Sequence, residues 1–421
     1  MNKMWEHPRA PLFNLRCGDG LDAFGSAWLN QYAENLRQYP ARAGVPAWLD
    51  SFVNQCRDTV PHYQAYPEVP FEQLPTTSRD DLRDPEKFIP QGQPLDSMTV
   101  VATSGTSGNR LRLCTHAIDA ATPWVLMEDA LRRHSAEMVR GPGSVALANL
   151  TFHAQNFIYA NISHAFGGAG FMKLNLQPQY WHAPEDRAAY LDEFRPQVLA
   201  GDPLALGELV RLPLQYRPKA IFSSGMQLLE GMRQRLRDLY GCPVLDVYSL
   251  TECRYLAISD GTRHRILPND VYVEILDGQH QPVPMGERGT ITLTGGHNPF
   301  LPLIRYRTGD CASLAVDEEG VAYLVGLEGR ASVFFEDSTG RRFNNIEVTK
   351  QLRPFSLLQF SLHQEADRSL RLEYLGDGVD EAALRERLTA LFGPLPLTLT
   401  RRTQEEQTGK KWILYSANLE P

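Results

Sequence analysis

The sequence predicts an α/β fold, with a large N-terminal domain of mixed or parallel sheets and helices followed by a small α+β domain. Three observations carry this. The chain, at 421 residues, is longer than one ordinary core. From about residue 98 short β-rich runs alternate with helix-period segments. Beyond Gly329-Arg330 the remainder reads as a unit of its own.

Taken in order, residues 1–97 read as helices with long polar connections; Trp28, Tyr32 and Leu36 share the face of one that ends near Pro40. A βαβ unit is legible further on. Ala220–Ser223 is a short apolar strand, Leu229, Met232, Leu236 and Leu239 form a helical stripe stopped by Gly241 and Pro243, and Val244–Tyr248 is strand-like again. If those strands are parallel, their crossover is right-handed, and the loops Ser224–Met226 and Ser249–Glu252 leave one carboxyl edge, where such sheets bind ligands. Ser144–Leu150 and Gln197–Ala200 deliver Thr151-Phe152-His153 and Gly201-Asp202-Pro203 in the same way. Near the C-terminus Leu370, Leu372 and Tyr374 alternate as in a strand. Asp380 then caps a helix bearing Leu384, Leu388 and Leu391, which Gly393-Pro394 ends. The expected domains are therefore residues 1–329 and 330–421.

Composition narrows the function. With 43% apolar and 22% charged residues the chain can bury a sizeable core. A formal charge of −8 without a long basic run gives neither nucleic acid nor an anionic membrane an electrostatic footprint, so a small-molecule partner fits better. Six cysteines without a CxxC pair suggest reduced thiols, and neither a signal-like h-region nor a spanning apolar stretch is present; a cytoplasmic protein is expected.

Four segments carry chemistry. Thr103-Ser104-Gly105-Thr106-Ser107-Gly108 follows the strand-like Met98–Ala102; its small residues let backbone N–H groups and hydroxyls point at phosphate, although a flexible linker has the same composition. Asp246-Val247-Tyr248-Ser249-Leu250-Thr251-Glu252 places a hydroxyl and a carboxylate at a strand end, suited to a phosphate and to magnesium; alone, the pair is also an ordinary helix cap. Ile304-Arg305-Tyr306-Arg307-Thr308-Gly309-Asp310 ends on an exposed Asp after a tight turn, suited to two ribose hydroxyls. Gln407-Thr408-Gly409-Lys410-Lys411 sets a lysine behind a glycine.

In order and spacing these four resemble the motifs of the adenylate-forming superfamily, and within it phenylacetate-CoA ligase, from about residue 95 to the end. The resemblance implies an adenylating domain with a C-terminal lid, and ATP-dependent activation of a carboxylic acid to its acyl-adenylate with release of pyrophosphate. ATP and Mg2+ are the implied cofactors. Ser104, Thr106 and Ser107, with Gly105 and Gly108, would hold the leaving pyrophosphate, Thr251 the α-phosphate and Glu252 the magnesium. Asp310 would hold the ribose, while Asp246, Tyr248 and Ser249 with Ser224, Gly225 and Met226 border the nucleotide; Arg330 matches a hinge-side arginine. Lys410 would bridge the attacking carboxylate and the nucleotide. Phe152, His153, Phe157 and Tyr159 resemble the segment beside the acyl pocket, which suits an aromatic acid.

Two departures bear on the acceptor and on metals. Ser332 stands where relatives carry a hinge Asp, so adenylation is implied more directly than transfer to coenzyme A. A carrier protein or an amine in a biosynthetic pathway is the alternative acceptor, and a nucleotide-binding protein without turnover is the alternative of another class. Cys253, His264 and Cys311 lie where some relatives hold zinc, three ligands where a structural site has four.

Overall fold

A computed structural model describes residues 3–15, 23–102, 111–154, 156–259, 261, 263–329, 333–403 and 412–418. They divide into two compact units. Unit 1 is Met1–Gly18, Met138–Asp246 and Ser332–Pro421; unit 2 is Asp19–Glu137 and Val247–Ala331. The chain passes from the first to the second inside one strand, Val244–Leu250.

In unit 1 the strands Ala220–Ser224, Val198–Gly201, Val145–Thr151 and Ala169–Asn175 lie side by side in parallel, and Tyr159–Ser163 closes the edge antiparallel. Their sequences are near-continuous apolar runs, as a parallel sheet covered on both faces requires. The helices Asp186–Phe194, Pro203–Leu209 and Glu230–Tyr240 contribute Leu191, Leu206 and Leu236 to the same core as Leu150 and Leu199. Each boundary has a local cause. The Asp202 carboxylate accepts the Ala205 N–H with Pro203 at the first helical position, and Gly241, at φ +62°, ends the Glu230–Tyr240 helix in the left-handed conformation a glycine adopts without penalty.

The C-terminal part of unit 1 has a sheet of its own, ordered Leu397–Arg401, Leu370–Leu375, Gln359–Gln364, Tyr415–Ala417. The helices Asn345–Leu352 and Glu381–Phe392 close a core of Leu352, Leu362, Leu372, Leu384 and Leu388 against it, and Asp380 caps the second helix at Ala383 N–H, 3.0 Å. This is the expected α+β composition.

Unit 2 is built differently. Six strands run Val271–Leu276, Arg288–Gly295, Leu303–Val316, Ala322–Glu328, Arg263–Ile266, Arg254–Ser259, every neighbouring pair antiparallel. The helices Ala23–Gln38, Leu49–Thr59 and Ala117–Arg133 accompany them, and Met98–Ala102 pairs antiparallel with Arg112–His116. Mixed sheets were expected, and parallel pairing is confined to unit 1 among the strands whose register is defined. No helix among the described residues is long and apolar enough to cross a membrane.

Candidate active site

In unit 2 the second and third motifs are joined by two hydrogen bonds. Tyr248, in the Val244–Leu250 strand, donates its phenol to Asp310 Oδ2 at 2.8 Å. Tyr306, in the Leu303–Val316 strand, donates to Glu252 Oε1 at 3.1 Å. Burial, and then the Asp310 charge, hold the Tyr248 phenol well above its ordinary range; burial and Glu252 do the same for Tyr306, so both remain donors.

Asp310 does not follow a tight turn. It lies half-buried within a fourteen-residue strand, at a bulge where Arg307 faces Thr292 and Cys311 faces Thr290, so that Thr308, Gly309 and Asp310 together oppose Ile291. Gly309, at φ +82°, makes the bulge; Thr308 Oγ1 donates to the Ile291 carbonyl at 3.0 Å and accepts the Asp310 N–H at 3.0 Å. The strand is thereby bent at the residue that carries the carboxylate.

Glu252 sits in the turn after the Val244–Leu250 strand, its side chain only 3% exposed. Arg79 Nη1 contacts its Oε1 at 2.8 Å. A buried carboxylate needs such a partner. The turn is fixed beyond it by Arg254, at φ +60°, whose Nε reaches Asp119 Oδ2 at 2.6 Å and whose Nη2 reaches Thr115 Oγ1 at 2.8 Å. Thr251 is half-buried beside these groups in sequence. The Arg79 guanidinium is the cation that Glu252 holds in this structure.

In unit 1 two sequence-predicted loops meet. His153 follows the Val145–Thr151 strand, Asp202 follows the neighbouring Val198–Gly201 strand, and His153 Nε2 lies 3.3 Å from Asp202 Oδ2. Asn175 clamps the same turn, donating to the His153 carbonyl at 2.7 Å. Phe152 is buried in the core, Tyr159 is half-buried against Phe171, and Phe157 is 64% exposed. Asp246 is buried inside its strand, Ser224 ends its own, Gly225 follows at φ +81°, and Met226 packs on the core; Ser249, in unit 2, is half-buried. Ser104, Gly105, Thr106, Ser107, Gly108, Arg330 and Lys410 lie outside the described residues.

No family model matches the sequence. Protein CapK of Staphylococcus aureus is 20% identical over 257 residues, 58% of this chain and 54% of that protein, so the chain spans about half the length of the curated relative it matches. Among solved structures, 2-hydroxyisobutyryl-CoA ligase in the postadenylation state, in complex with 2-HIB-AMP, superposes with a TM-score of 0.59 at 17% identity, over 93% of this chain and 88% of that one. ATP-bound MatB from Rhodopseudomonas palustris gives 0.50 at 18% identity, over 74% and 65%. The chain shares its fold with these two structures.

The candidates Glu252, Asp310 and His153 are contacted by Arg79 and Tyr306, by Tyr248 and by Asp202, and of these only Tyr248 was among the sequence candidates. Tyr306 and Asp202 lay inside quoted segments without a role, and Arg79 carried no local signal at all. Cys253, His264 and Cys311 form no metal centre: among the described residues no three His, Cys, Asp or Glu side chains are grouped to hold an ion. Burial raises the thiols of Cys253 and Cys311. A cavity of about 650 Å³ lies elsewhere in unit 2, between residues 39–48 and the Val271–Leu276 strand, and none of the predicted residues lines it.

Proposed function

We propose that this chain activates a carboxylic acid with ATP and passes the acyl group to coenzyme A. A carboxylate oxygen attacks the α-phosphorus, the bond to the β-phosphate oxygen breaks, and pyrophosphate leaves; a thiolate then attacks the acyl carbon and AMP leaves. The observation that carries the reading is the pairing of Tyr248 with Asp310 and of Tyr306 with Glu252. It brings two motif segments that are remote in sequence into one neighbourhood on a fold shared with acyl-adenylate-bound ligases.

Residue by residue, Asp310 holds the ribose, Thr251 the α-phosphate and Glu252 the Mg2+ carried by ATP. Ser104, Thr106 and Ser107 receive the pyrophosphate, Asp246 with Ser224–Met226 borders the base, and Lys410 draws the two anions together. Mg2+ supplies charge neutralisation at the phosphates when bound. His153, Phe152 and Tyr159 face the acid, with Phe157 on the rim, and an aromatic acid is the first class to try. Residues 330–421 act as the lid, and the free cysteines suit a reducing cytoplasm.

Acid-dependent ATP–pyrophosphate exchange over a panel of aryl and alkyl acids tests this. Exchange with at least one acid, falling at least about a hundredfold in Lys410→Ala, is expected. Folded protein that exchanges with none would sink it. Ser332 at the hinge position favours a second reading, in which a carrier protein or an amine of a biosynthetic pathway takes the acyl group. Adenylate accumulating with coenzyme A present, without thioester by mass, would select it.

A further inference from the structure

We infer that Arg79 is a resident counter-cation for Glu252, exchanged for the divalent metal when nucleotide binds. This rests on the reading of Glu252 as the metal-side carboxylate. Arg79 and Tyr306 both address Oε1, at 2.8 and 3.1 Å, yet they differ in what they can do next. Tyr306 is 1% exposed and fixed in its strand. The Arg79 side chain is 37% exposed, so solvent reaches it as it does not reach Tyr306.

Arg79 is delivered by a built support. Thr77 bridges the Leu303–Val316 strand: its N–H donates to the Arg305 carbonyl at 3.0 Å, its carbonyl accepts from Arg307 N–H at 2.8 Å, and its hydroxyl donates to the Ile304 carbonyl at 2.8 Å. Asp81 closes the following turn by accepting the Ser78 N–H at 2.7 Å and the Ser78 hydroxyl at 2.6 Å. The N-terminal region thus places a cation on the motif carboxylate from 173 residues away. A metal ion and a guanidinium repel each other on one carboxylate oxygen, so Mg2+ that takes Oε1 displaces Arg79 from it. Before loading, Arg79 masks the Glu252 charge from incoming phosphates. Arg79 is a positioning residue in this scheme.

The test is ATP binding without acid, by calorimetry on the full chain, as the ratio of the dissociation constant in EDTA to that in Mg2+. In Arg79→Gln a bare Glu252 repels metal-free ATP and the metal no longer displaces a competitor, so the ratio rises about tenfold above wild type. In Glu252→Gln the ratio falls. A ratio within twofold of wild type in folded Arg79→Gln overturns the proposal, because a merely structural arginine shifts both constants together. If Arg79→Gln does not fold, Arg79→Lys replaces it: a point charge without the fork releases Glu252 more easily, so the ratio rises less, and an unchanged or lower ratio overturns the proposal. Wild-type protein that binds no ATP in either buffer overturns the nucleotide reading and this one with it. Normal exchange activity with an unmoved ratio removes only the role of Arg79.

Discussion

The two units differ in how far their candidate residues are committed before any ligand arrives. In unit 2 both candidate carboxylates are already engaged, Glu252 by the buried Tyr306 and the part-exposed Arg79, and Asp310 by the buried Tyr248. In unit 1, His153 lies 3.3 Å from Asp202 Oδ2 and is a third exposed, and the aromatic residues near it in sequence range from core to surface. Groups that face an invariant ligand can be fixed in advance, which lowers the cost of binding it. Groups that face a variable acid gain less from being fixed.

The largest expected effect breaks the committed half. Glu252→Gln removes the carboxylate charge and should lower pyrophosphate exchange by about a hundredfold, as loss of one preorganised electrostatic group does. An exchange rate near wild type would show that the buried pair with Arg79 is only structural. Tyr248→Phe is milder. It deletes one hydrogen bond to a charged group and leaves the ring packed, so KM for ATP should rise about tenfold with KM for the acid unmoved. Equal rises in both would mean that Asp310 orders more than the nucleotide.

How much of this was legible follows the same division. Parallel strands of unit 1 announced themselves as apolar runs ending in polar turns, and the His153 and Asp202 loops meet because neighbouring parallel strands end at the same edge. The antiparallel strands of unit 2 were visible only as β-rich sequence, since their order depends on pairing between distant segments. The bulge at Thr308–Asp310 is a register event and has no signature beyond Gly309. Arg79 was illegible for a simpler reason: an arginine in a polar turn gains meaning only from the carboxylate it reaches.

The uncommitted half should respond more weakly and on the acid alone. Asp202 does two things at once, since Oδ1 caps the Pro203–Leu209 helix at Ala205 N–H, 2.8 Å, while Oδ2 faces His153. Asparagine caps a helix about as well as aspartate, so Asp202→Asn separates the roles. Stability should hold within about 0.5 kcal/mol while KM for the acid rises roughly fivefold and KM for ATP stays put. A matching rise in KM for ATP would place His153 on the nucleotide side instead.

Phe157 gives the smallest expected effect and the sharpest limit on the comparison. An aromatic ring left largely in water contributes little to a pocket that has not closed over it, so Phe157→Ser should change either KM by less than about twofold and stability by less than about 0.5 kcal/mol. A tenfold rise in KM for the acid, with stability unchanged, would reveal that the segment folds down on the substrate and buries that ring. The segment around Phe157 would then be ordered by the acid, whereas Glu252 and Asp310 are held by Tyr306 and Tyr248 without any ligand.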